Sequence, residues 1–248
     1  MSNPSPLMPM LRKLEYWGVL SPGDHGALLA LPYVLRTIEP RHHIVREGEP
    51  STHACLLRSG FAFRHKIVGS GGRQILSIHM SGDIVDLQNS LLNVADHNVQ
   101  TLATTEVALI PRDAIVKLAF DRPAIGVALW KDTLVDGSIF REWIANVGRR
   151  DARTRLAHLL CEFALRLEAT GESELTSWEL PMTQEHLGDC TGLTSVHVNR
   201  TLKVLEREEL ISRSSRSVTI EDWKGLAAAG DFESSYLHLA DAQLTLTQ

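Results

Sequence analysis

Short apolar runs separated by glycines and polar residues dominate residues 38–110. The apolar runs stand at 44–45, 54–57, 61–63, 75–78 and 107–110. This spacing predicts short strands joined by turns, and the glycine-rich stretch 69–72 is typical of a hairpin loop. The pattern favours a β-sandwich or a jelly-roll barrel. The preceding residues 11–31 predict short helices that can cap this barrel.

Beyond the last predicted strand the apolar pattern becomes helical. Residues 121–150 contain no proline beyond their third position, and they predict one helix of about 40 Å at a rise of 1.5 Å per residue. Trp130 and Trp143 on this helix need a cover, which either the barrel or a second copy of the helix can supply. The apolar seam departs from a regular heptad because Gly137 and Arg141 take seam positions.

Helical patterning continues in two further units. Residues 151–171 have apolar side chains at i, i+3, i+4, i+7 and i+11, as in an amphipathic helix. Residues 183–205 predict two short helices around a tight turn, because Thr183 and Thr194 can cap them and Gly192 can turn the chain. The apolar residues of this pair are expected to bury against one another: Leu187, Leu193, Val198, Leu202 and Leu205.

The opposite face of the second short helix is polar and basic. It carries Ser195, Val196, Asn199, Arg200 and Lys203. This set suits the DNA major groove, because arginine pairs with guanine, asparagine with adenine and an aliphatic group with the thymine methyl. The lysine, one turn further along, can meet a phosphate.

Two short strands at 210–213 and 216–220 are predicted next, and they would form a wing with Arg213 and Arg216 at its basic turn. An ordinary helical hairpin with a solvated polar face is the alternative. Residues 195–216 carry only a small excess of basic side chains, so charge does not separate the two interpretations. The order of turn glycine, capping threonine, basic face and basic wing favours DNA binding.

Composition narrows the class of protein. The 248-residue chain has 25 Lys and Arg against 30 Asp and Glu, a net charge of −5, which excludes attraction of the whole protein to nucleic acid but not a local DNA-reading surface. Three cysteines without metal-type spacing suit a reducing compartment. No apolar run reaches the ~20 residues of a membrane span, and residues 1–10 show no secretory signal. We therefore expect a cytoplasmic protein without a membrane partner.

Three motifs make the sequence resemble the Crp/Fnr family of bacterial transcription regulators. They are Leu-Pro-Met-Thr-Gln-Glu-His-Leu-Gly at 180–188, Gly-Leu-Thr-Ser-Val-His-Val-Asn-Arg-Thr-Leu at 192–202 and Leu-Glu-Arg-Glu-Glu-Leu-Ile at 205–211. The resemblance implies an α+β fold: an N-terminal cyclic-nucleotide-binding-type jelly-roll barrel, a long dimerisation helix and a C-terminal winged helix-turn-helix. It also implies a homodimer with half-sites about one DNA turn, ~34 Å, apart.

The resemblance assigns DNA contacts by position. Arg200 matches the family's base-reading arginine. Asn199 stands where many members have serine or glycine, and Val196 replaces a glutamate that several members use, which puts the usual family target sequence in doubt. The other expected contacts come from the N-terminal ends of the two short helices: Thr183, Gln184, Ser195 and His197.

What the barrel senses is constrained by absent residues. Members similar to the cAMP receptor hold the cyclic phosphate with an Arg-Ser pair and the ribose with a glutamate, where this sequence has His97-Asn98 and Leu87. Cyclic AMP is therefore not expected. Haem is disfavoured by Asp86 and Gln88 at the ligand position, and an iron–sulfur cluster by the lack of N-terminal cysteines. No His-x-His pair indicates a metal site. The candidate effector pocket comprises Asp86, Leu87, Gln88, His97 and Asn98.

These expectations combine into a transcription regulator that binds double-stranded DNA as a homodimer on a palindrome, switched by an effector of the barrel and with RNA polymerase as a candidate partner. The alternative is an effector-independent regulator with a purely structural barrel. An enzyme is not expected, because no nucleophile triad, carboxylate pair or phosphate-binding loop is present. The expected segments are a sensor domain with N-terminal helices at 1–120, a dimerisation helix at 121–150, a DNA-binding domain at 151–232 and a tail at 233–248.

Overall fold

Two antiparallel sheets form the N-terminal part of the molecule, and helices form most of the remainder. The computed structural model describes residues 5–171, 176–214 and 217–239. Its helices are α1 (Met8–Trp17), α2 (Pro22–Leu29), α3 (Arg112–Asp121), α4 (Pro123–Arg149), α5 (Ala152–Thr170), α6 (Gln184–Thr191), α7 (Ser195–Arg207) and α8 (Trp223–Ala229). None of the helices in these three stretches is long and apolar enough to cross a membrane.

The strands belong to three sheets. They are β1 (Val34–Ile38), β2 (His43–Val45), β3 (His53–Ser59), β4 (Ala62–Ile67), β5 (Arg73–His79), β6 (Ile84–Val85), β7 (Asn98–Thr101), β8 (Thr105–Pro111), β9 (Ser177–Glu179), β10 (Ile211–Ser214) and β11 (Ser217–Ile220). The barrel consists of the sheets β1-β8-β3-β6 and β2-β7-β4-β5, and the third sheet is β10-β11-β9.

The barrel interior is lined mainly by small apolar side chains. Both barrel sheets contribute to this core, which comprises Cys55, Leu57, Ala62, Val85, Val99 and Val107. The hairpin β4–β5 pairs Ile67 with Arg73 around the predicted glycine-rich loop. The expected α+β fold with a jelly-roll-type barrel is confirmed.

Four strands have no counterpart in the sequence prediction. β1 lies at a sheet edge beside β8 and is largely exposed, and its apolar residues Val34, Leu35 and Ile38 do not alternate with polar ones. β6 has two residues, and β7 offers Val99 as its one apolar side chain. β9 joins the wing strand β11. The partners of these strands lie far along the chain, and local patterning therefore does not reveal them.

Helix α1 ties the barrel to α4. Lys13 Nζ lies 2.8 Å from Asp83 Oδ1 at the end of the barrel and 2.9 Å from Asp132 Oδ1 in α4. Trp17 Nε1 donates a hydrogen bond to Asp132 Oδ1 at 3.0 Å. Burial opposes the charge of Lys13, but the two carboxylates outweigh it and raise the pKa of the ammonium. The N-terminal helix, the barrel and the long helix are therefore held together by buried charges.

Helix α4 begins at Pro123, two residues after the predicted start. Asp121 still belongs to α3, and the proline suits the first position of a new helix. One face of α4 packs against other parts of the same chain. Trp143 is buried on this face, and its Nε1 donates a hydrogen bond to Glu162 of α5. Trp130 is 67% exposed. The two tryptophans thus have different surroundings.

The C-terminal unit extends beyond the predicted boundary at residue 232. Ser234–Leu237 form a short 3-10 helix. Tyr236 Oη donates to Glu162 Oε2 at 2.7 Å, and Leu237 is buried. The short helix Ser234–Leu237 therefore packs on the fold through Tyr236 and Leu237, and Leu244 and Leu246 of the tail lie outside the described residues.

Candidate functional site

Threonine caps start both helices of the α6–α7 unit, as predicted. Thr183 Oγ1 accepts a hydrogen bond from the His186 N–H, and His186 Nδ1 accepts one from the Thr183 N–H, both at 3.3 Å. Thr194 Oγ1 likewise accepts from the His197 N–H at 3.3 Å. Each cap satisfies donors that the first turn of a helix leaves free, so the two helix starts are locally encoded.

Two glycines shape the turn between α6 and α7. Gly192 ends α6 with a φ of +68°, in the left-handed region that favours glycine. Gly188 is required for a different reason: a Cβ at this position would lie 2.4 Å from the Leu193 carbonyl oxygen. The Leu193 N–H donates to the Gly188 oxygen at 3.0 Å. The angle between the helices therefore depends on close backbone contact at Gly188.

Gly188→Ala is expected to destabilise the α6–α7 unit by about 1–3 kcal/mol, because overpacking must push the turn apart. Urea unfolding followed by circular dichroism measures the change in stability. Gly148→Ala is the control, since a Cβ there meets nothing within 4 Å and a helical alanine is favoured over glycine. Equal stability of both variants would show that the turn has room to relax.

Helix α7 separates an apolar face from a polar one. Val198, Leu202 and Leu205 are buried. Four of the five predicted outward residues are exposed, namely Ser195, Val196, Arg200 and Lys203, and so is His197, a further predicted contact. Within the described part of the chain, the side chains of Arg200 and Lys203 have no hydrogen-bond or ion-pair partner. Both cations are thus available to an external ligand.

Asn199, which is predicted to face solvent, is instead half-buried, and its Nδ2 donates to Gln184 Oε1 at 3.2 Å. The structure thus joins two predicted contact residues into one pair that bridges the N-terminal part of α6 and the middle of α7. Thr183, beside Gln184, is exposed. The amide pair forms because packing of the two helices brings their polar side chains within hydrogen-bond distance.

The wing arginine Arg213 is occupied inside the protein. Its Nε and Nη2 donate to the two carboxylate oxygens of Glu206 at 3.0 and 2.8 Å. This bidentate pair fastens the wing to α7 and neutralises the arginine. The wing position of Arg213 predicts a DNA contact, but the guanidinium would first have to exchange this partner. The other wing residue of the prediction, Arg216, lies outside the described residues.

The first turn of α5 lies next to α7, a proximity that sequence analysis missed. A cleft of about 620 Å³ separates them, and Asp151 and Arg153 line it opposite Val196 and Arg200. Arg153 Nη2 is paired with Glu208 Oε2 at 2.6 Å. No local pattern reveals this cleft, because the two helix starts are brought together only by packing of α5 on α7.

The barrel contacts the α6–α7 unit directly. Arg73 Nε of β5 lies 2.7 Å from Asp189 Oδ2 of α6, and Gln74 Nε2 donates to the Asp189 carbonyl at 2.7 Å. The rings of Phe63 on β4 and His186 on α6 are 5.4 Å apart. The hairpin β4–β5 thus positions the first helix of the unit, which no sequence motif indicated.

The predicted effector-pocket residues are only partly brought together. His97 Nε2 lies 3.5 Å from Asp86 Oδ1, and Gln88 Nε2 donates to the same oxygen at 3.5 Å. Leu87 instead packs against the apolar cluster that includes α1, and Asn98 Oδ1 accepts from the Glu47 N–H at 3.1 Å. Burial raises the pKa of Asp86, while burial and the charge of Arg64 lower that of His97.

The three cysteines are buried free thiols. Burial raises the pKa of Cys55, Cys161 and Cys190, so the thiol rather than the reactive thiolate is present at neutral pH. In the described residues, no group of three His, Cys, Asp or Glu side chains is arranged to hold a metal ion.

Two protein-family models match the chain on either side of α4. The cyclic nucleotide-binding domain matches residues 35–122, and the Crp-like helix-turn-helix domain matches residues 154–229. The chain is 28% identical over 222 residues to the transcriptional activatory protein AadR of Rhodopseudomonas palustris, covering 88% of this chain and 91% of that protein. It is 28% identical over 184 residues to the nitrogen fixation regulation protein FixK of Azorhizobium caulinodans, covering 74% and 73%.

A solved structure shares the whole arrangement. FixK2 from Bradyrhizobium japonicum superposes with a TM-score of 0.74 at 24% identity, over 80% of this chain and 98% of that chain. The two family models and the named relatives, which are regulators and not enzymes, define a DNA-binding transcription regulator with a cyclic-nucleotide-binding-type barrel. The chain belongs to the Crp/Fnr family, and α6–α7 is its helix-turn-helix.

The residues at the expected nucleotide-binding positions, His97 and Leu87, do not match the chemistry of a cyclic nucleotide. His97, which stands in place of the phosphate-binding arginine, has its Nδ1 2.6 Å from Asp96 Oδ1 and its Nε2 beside Asp86. Its lowered pKa leaves it uncharged at neutral pH. A cyclic phosphate at the position of His97 would face the carboxylates of Asp86 and Asp96, and the apolar Leu87 offers no hydrogen bond to a ribose.

Proposed function

We propose that this protein binds a palindromic operator as a homodimer and that an effector in the barrel controls the binding. The observation that carries the dimer is a line of exposed apolar side chains on α4: Val127, Trp130, Leu134 and Ile144. Their exposed fractions in one protomer are 49%, 67%, 55% and 72%. Val127, Trp130 and Leu134 stand at i, i+3 and i+7, and Ile144 lies on the same side of α4 beyond Gly137 and Arg141.

A second copy of the chain is the occupant that best suits this face. A straight helix face pairs well with an identical helix, and a two-fold contact buries every residue of the line twice. Contiguous apolar surface of this kind is costly to leave in water. A two-fold dimer also presents two copies of α7, which matches an operator with two-fold symmetry and half-sites ~34 Å apart.

Each half-site is proposed to be read by α7. Arg200, exposed and without an internal partner among the described residues, can donate two hydrogen bonds to a guanine. Val196, 61% exposed, can contact a thymine methyl group. Lys203 and Thr183 are proposed to meet phosphates, and Ser195 and His197 to contact base edges or backbone. Asn199 and Gln184 are proposed to act as a pair, because each already holds the other in place.

Switching is proposed to act through the two connections of the barrel. One is the contact of the barrel with α4, and the other is the Arg73–Asp189 contact between β5 and α6. An effector that favours one arrangement of these contacts shifts the population of DNA-binding dimers. Contact with RNA polymerase is proposed for the bound dimer, in line with the name of the relative AadR as an activatory protein.

Selection from a random duplex library by the purified full chain, with no ligand added, tests this function. A palindrome with half-sites about one turn apart, ~34 Å, is the expected result, and sedimentation of the protein on it should show two protomers per duplex. Recovery of a non-symmetric site would contradict the homodimer. Recovery only after addition of cell-extract small molecules would support the effector, and equal recovery in both conditions would favour the effector-independent alternative.

A further inference from the structure

Arg64 of β4 is a buried arginine on the inner face of the barrel. It pairs in register with Val99 and lies two residues from Ala62, and both of those side chains belong to the core between the sheets. Since alternate residues of a strand share a face, the Arg64 side chain starts from the barrel interior. Its exposed fraction is 4%. Sequence analysis did not single it out, because strand direction alone does not tell inside from outside.

The guanidinium of Arg64 is poorly matched by the protein. Its Nε and Nη2 are buried without a hydrogen-bond partner among the described residues. Its nearest carboxylate oxygen is Asp136 Oδ2 of α4, 3.9 Å from Nη1, and the ring of Phe140 lies 5.4 Å from the guanidinium carbon. A buried charged group normally makes all of its hydrogen bonds, so these two N–H donors are available to a bound ligand.

A second set of unmatched polar atoms lies on the segment from Asp86 to His97. In the described structure Asp86 Oδ2, Asn89 Oδ1, Ser90 Oγ and His97 Nε2 are buried and lack hydrogen-bond partners. Asp86 directly follows Val85, the register partner of Cys55 in the barrel core, and its Oδ1 lies 3.5 Å from His97 Nε2. His97 stands two residues before Val99, the register partner of Arg64. Besides burial, which raises the pKa of Asp86 and lowers that of His97, the charge of Arg64 lowers the pKa of both. The two sets of groups therefore face a common interior, with donors on one side and mainly acceptors on the other.

We propose that Arg64 binds the acidic group of a small carboxylic acid, and that Asp86 and Asn89 accept hydrogen bonds from a hydroxyl or ammonium group of the same molecule. The effector is thus a hydroxy acid or an amino acid rather than a nucleotide. The positive charge comes from β4, not from the segment that binds phosphate in cyclic-nucleotide receptors. This inference rests on the proposed function, because it names the effector of the same barrel.

Binding at Arg64 would also reach the rest of the protein. Arg64 contacts Asp136 and Phe140 of α4, and the preceding residue, Phe63, packs against His186 of α6. A carboxylate on Nε and Nη2 of Arg64 places a second negative charge on the guanidinium whose Nη1 lies 3.9 Å from Asp136 Oδ2. The ligand thereby changes the contact between β4 and the long helix, which is the connection proposed above for switching.

Matched pairs of acids test the proposal on the full chain by thermal shift and calorimetry: L-lactate against propionate, L-malate against succinate, and L-glutamate against glutarate. At least one hydroxy or amino acid should raise the melting temperature and bind about tenfold or more tightly than its partner without the donor group. Arg64→Met should lose this binding. Arg64→Lys keeps the positive charge but loses the paired donors of the guanidinium, and it should bind the acid more weakly than wild type. This variant tests the proposal if Arg64→Met does not fold.

Arg58→Met is the matched control, since this half-buried arginine of β3 is paired with Glu106 and its removal should leave acid binding unchanged. The proposal is overturned if no acid of the panel stabilises the wild-type protein, if each pair binds equally, or if Arg64→Met binds as well as wild type. Binding to the selected palindrome is measured in parallel. If the wild-type protein binds the palindrome but responds to no acid, only the proposed class of effector is refuted. If the wild-type protein does not bind the palindrome, the proposed function itself is refuted.

Discussion

Arg200→Ala is expected to lower affinity for the selected operator by roughly 30-fold to 10⁴-fold, because a bidentate pair with a base is worth about 1–3 kcal/mol and a homodimer makes two. The side chain is exposed and has no partner in the described structure, so the fold should be unaffected. Fluorescence anisotropy on operators with single base-pair changes measures the effect. The variant should become indifferent to one base pair in each half-site.

Lys203→Ala provides the contrast. A phosphate contact carries no sequence information, so this variant should weaken binding to specific and random duplexes alike. The slope of log affinity against log salt concentration should become shallower by about 0.9 for each phosphate that the variant leaves unneutralised. If Arg200→Ala also reduced specific and random binding equally, its role as the base-reading residue would be wrong.

Leu134→Asp is expected to convert the dimer into monomers at micromolar concentration. Burying a leucine stabilises an interface by about 1.5–3 kcal/mol, and two-fold symmetry counts the residue twice. The dimer dissociation constant should therefore rise by roughly 10²-fold to 10⁴-fold, and two facing carboxylates add repulsion. Sedimentation velocity over a range of concentrations measures the change. The variant should bind the palindrome more weakly, and the bound fraction of DNA should rise more steeply with protein concentration.

Val19→Asp is the matched control for the added charge. Val19 is an apolar residue that is 97% exposed and lies between α1 and α2, outside α4. This variant should remain dimeric. A dimer that survived Leu134→Asp unchanged would place the contact between protomers somewhere other than this face of α4.

The helix-turn-helix could be predicted closely because its determinants are local. The caps at Thr183 and Thr194 and the turn at Gly192 each act within a few residues of their own position, and the apolar face of α7 follows from helical spacing. The barrel could be predicted only in outline. Its strong strands have apolar runs, whereas β1 and β7 are defined by partners distant in the chain, and such pairing leaves little trace in a local pattern.

The family, the order of the units and the outward face of α7 with Arg200 follow from motif, periodicity and spacing along the chain. Which of the candidate side chains remain free depends on how the chain packs. Packing pairs Asn199 with Gln184 and Arg213 with Glu206, joins Arg73 to Asp189, and leaves Arg64 buried with unmatched donors. The physical reason is that hydrogen bonds and ion pairs form between residues close in space, and only the packed chain brings such residues together.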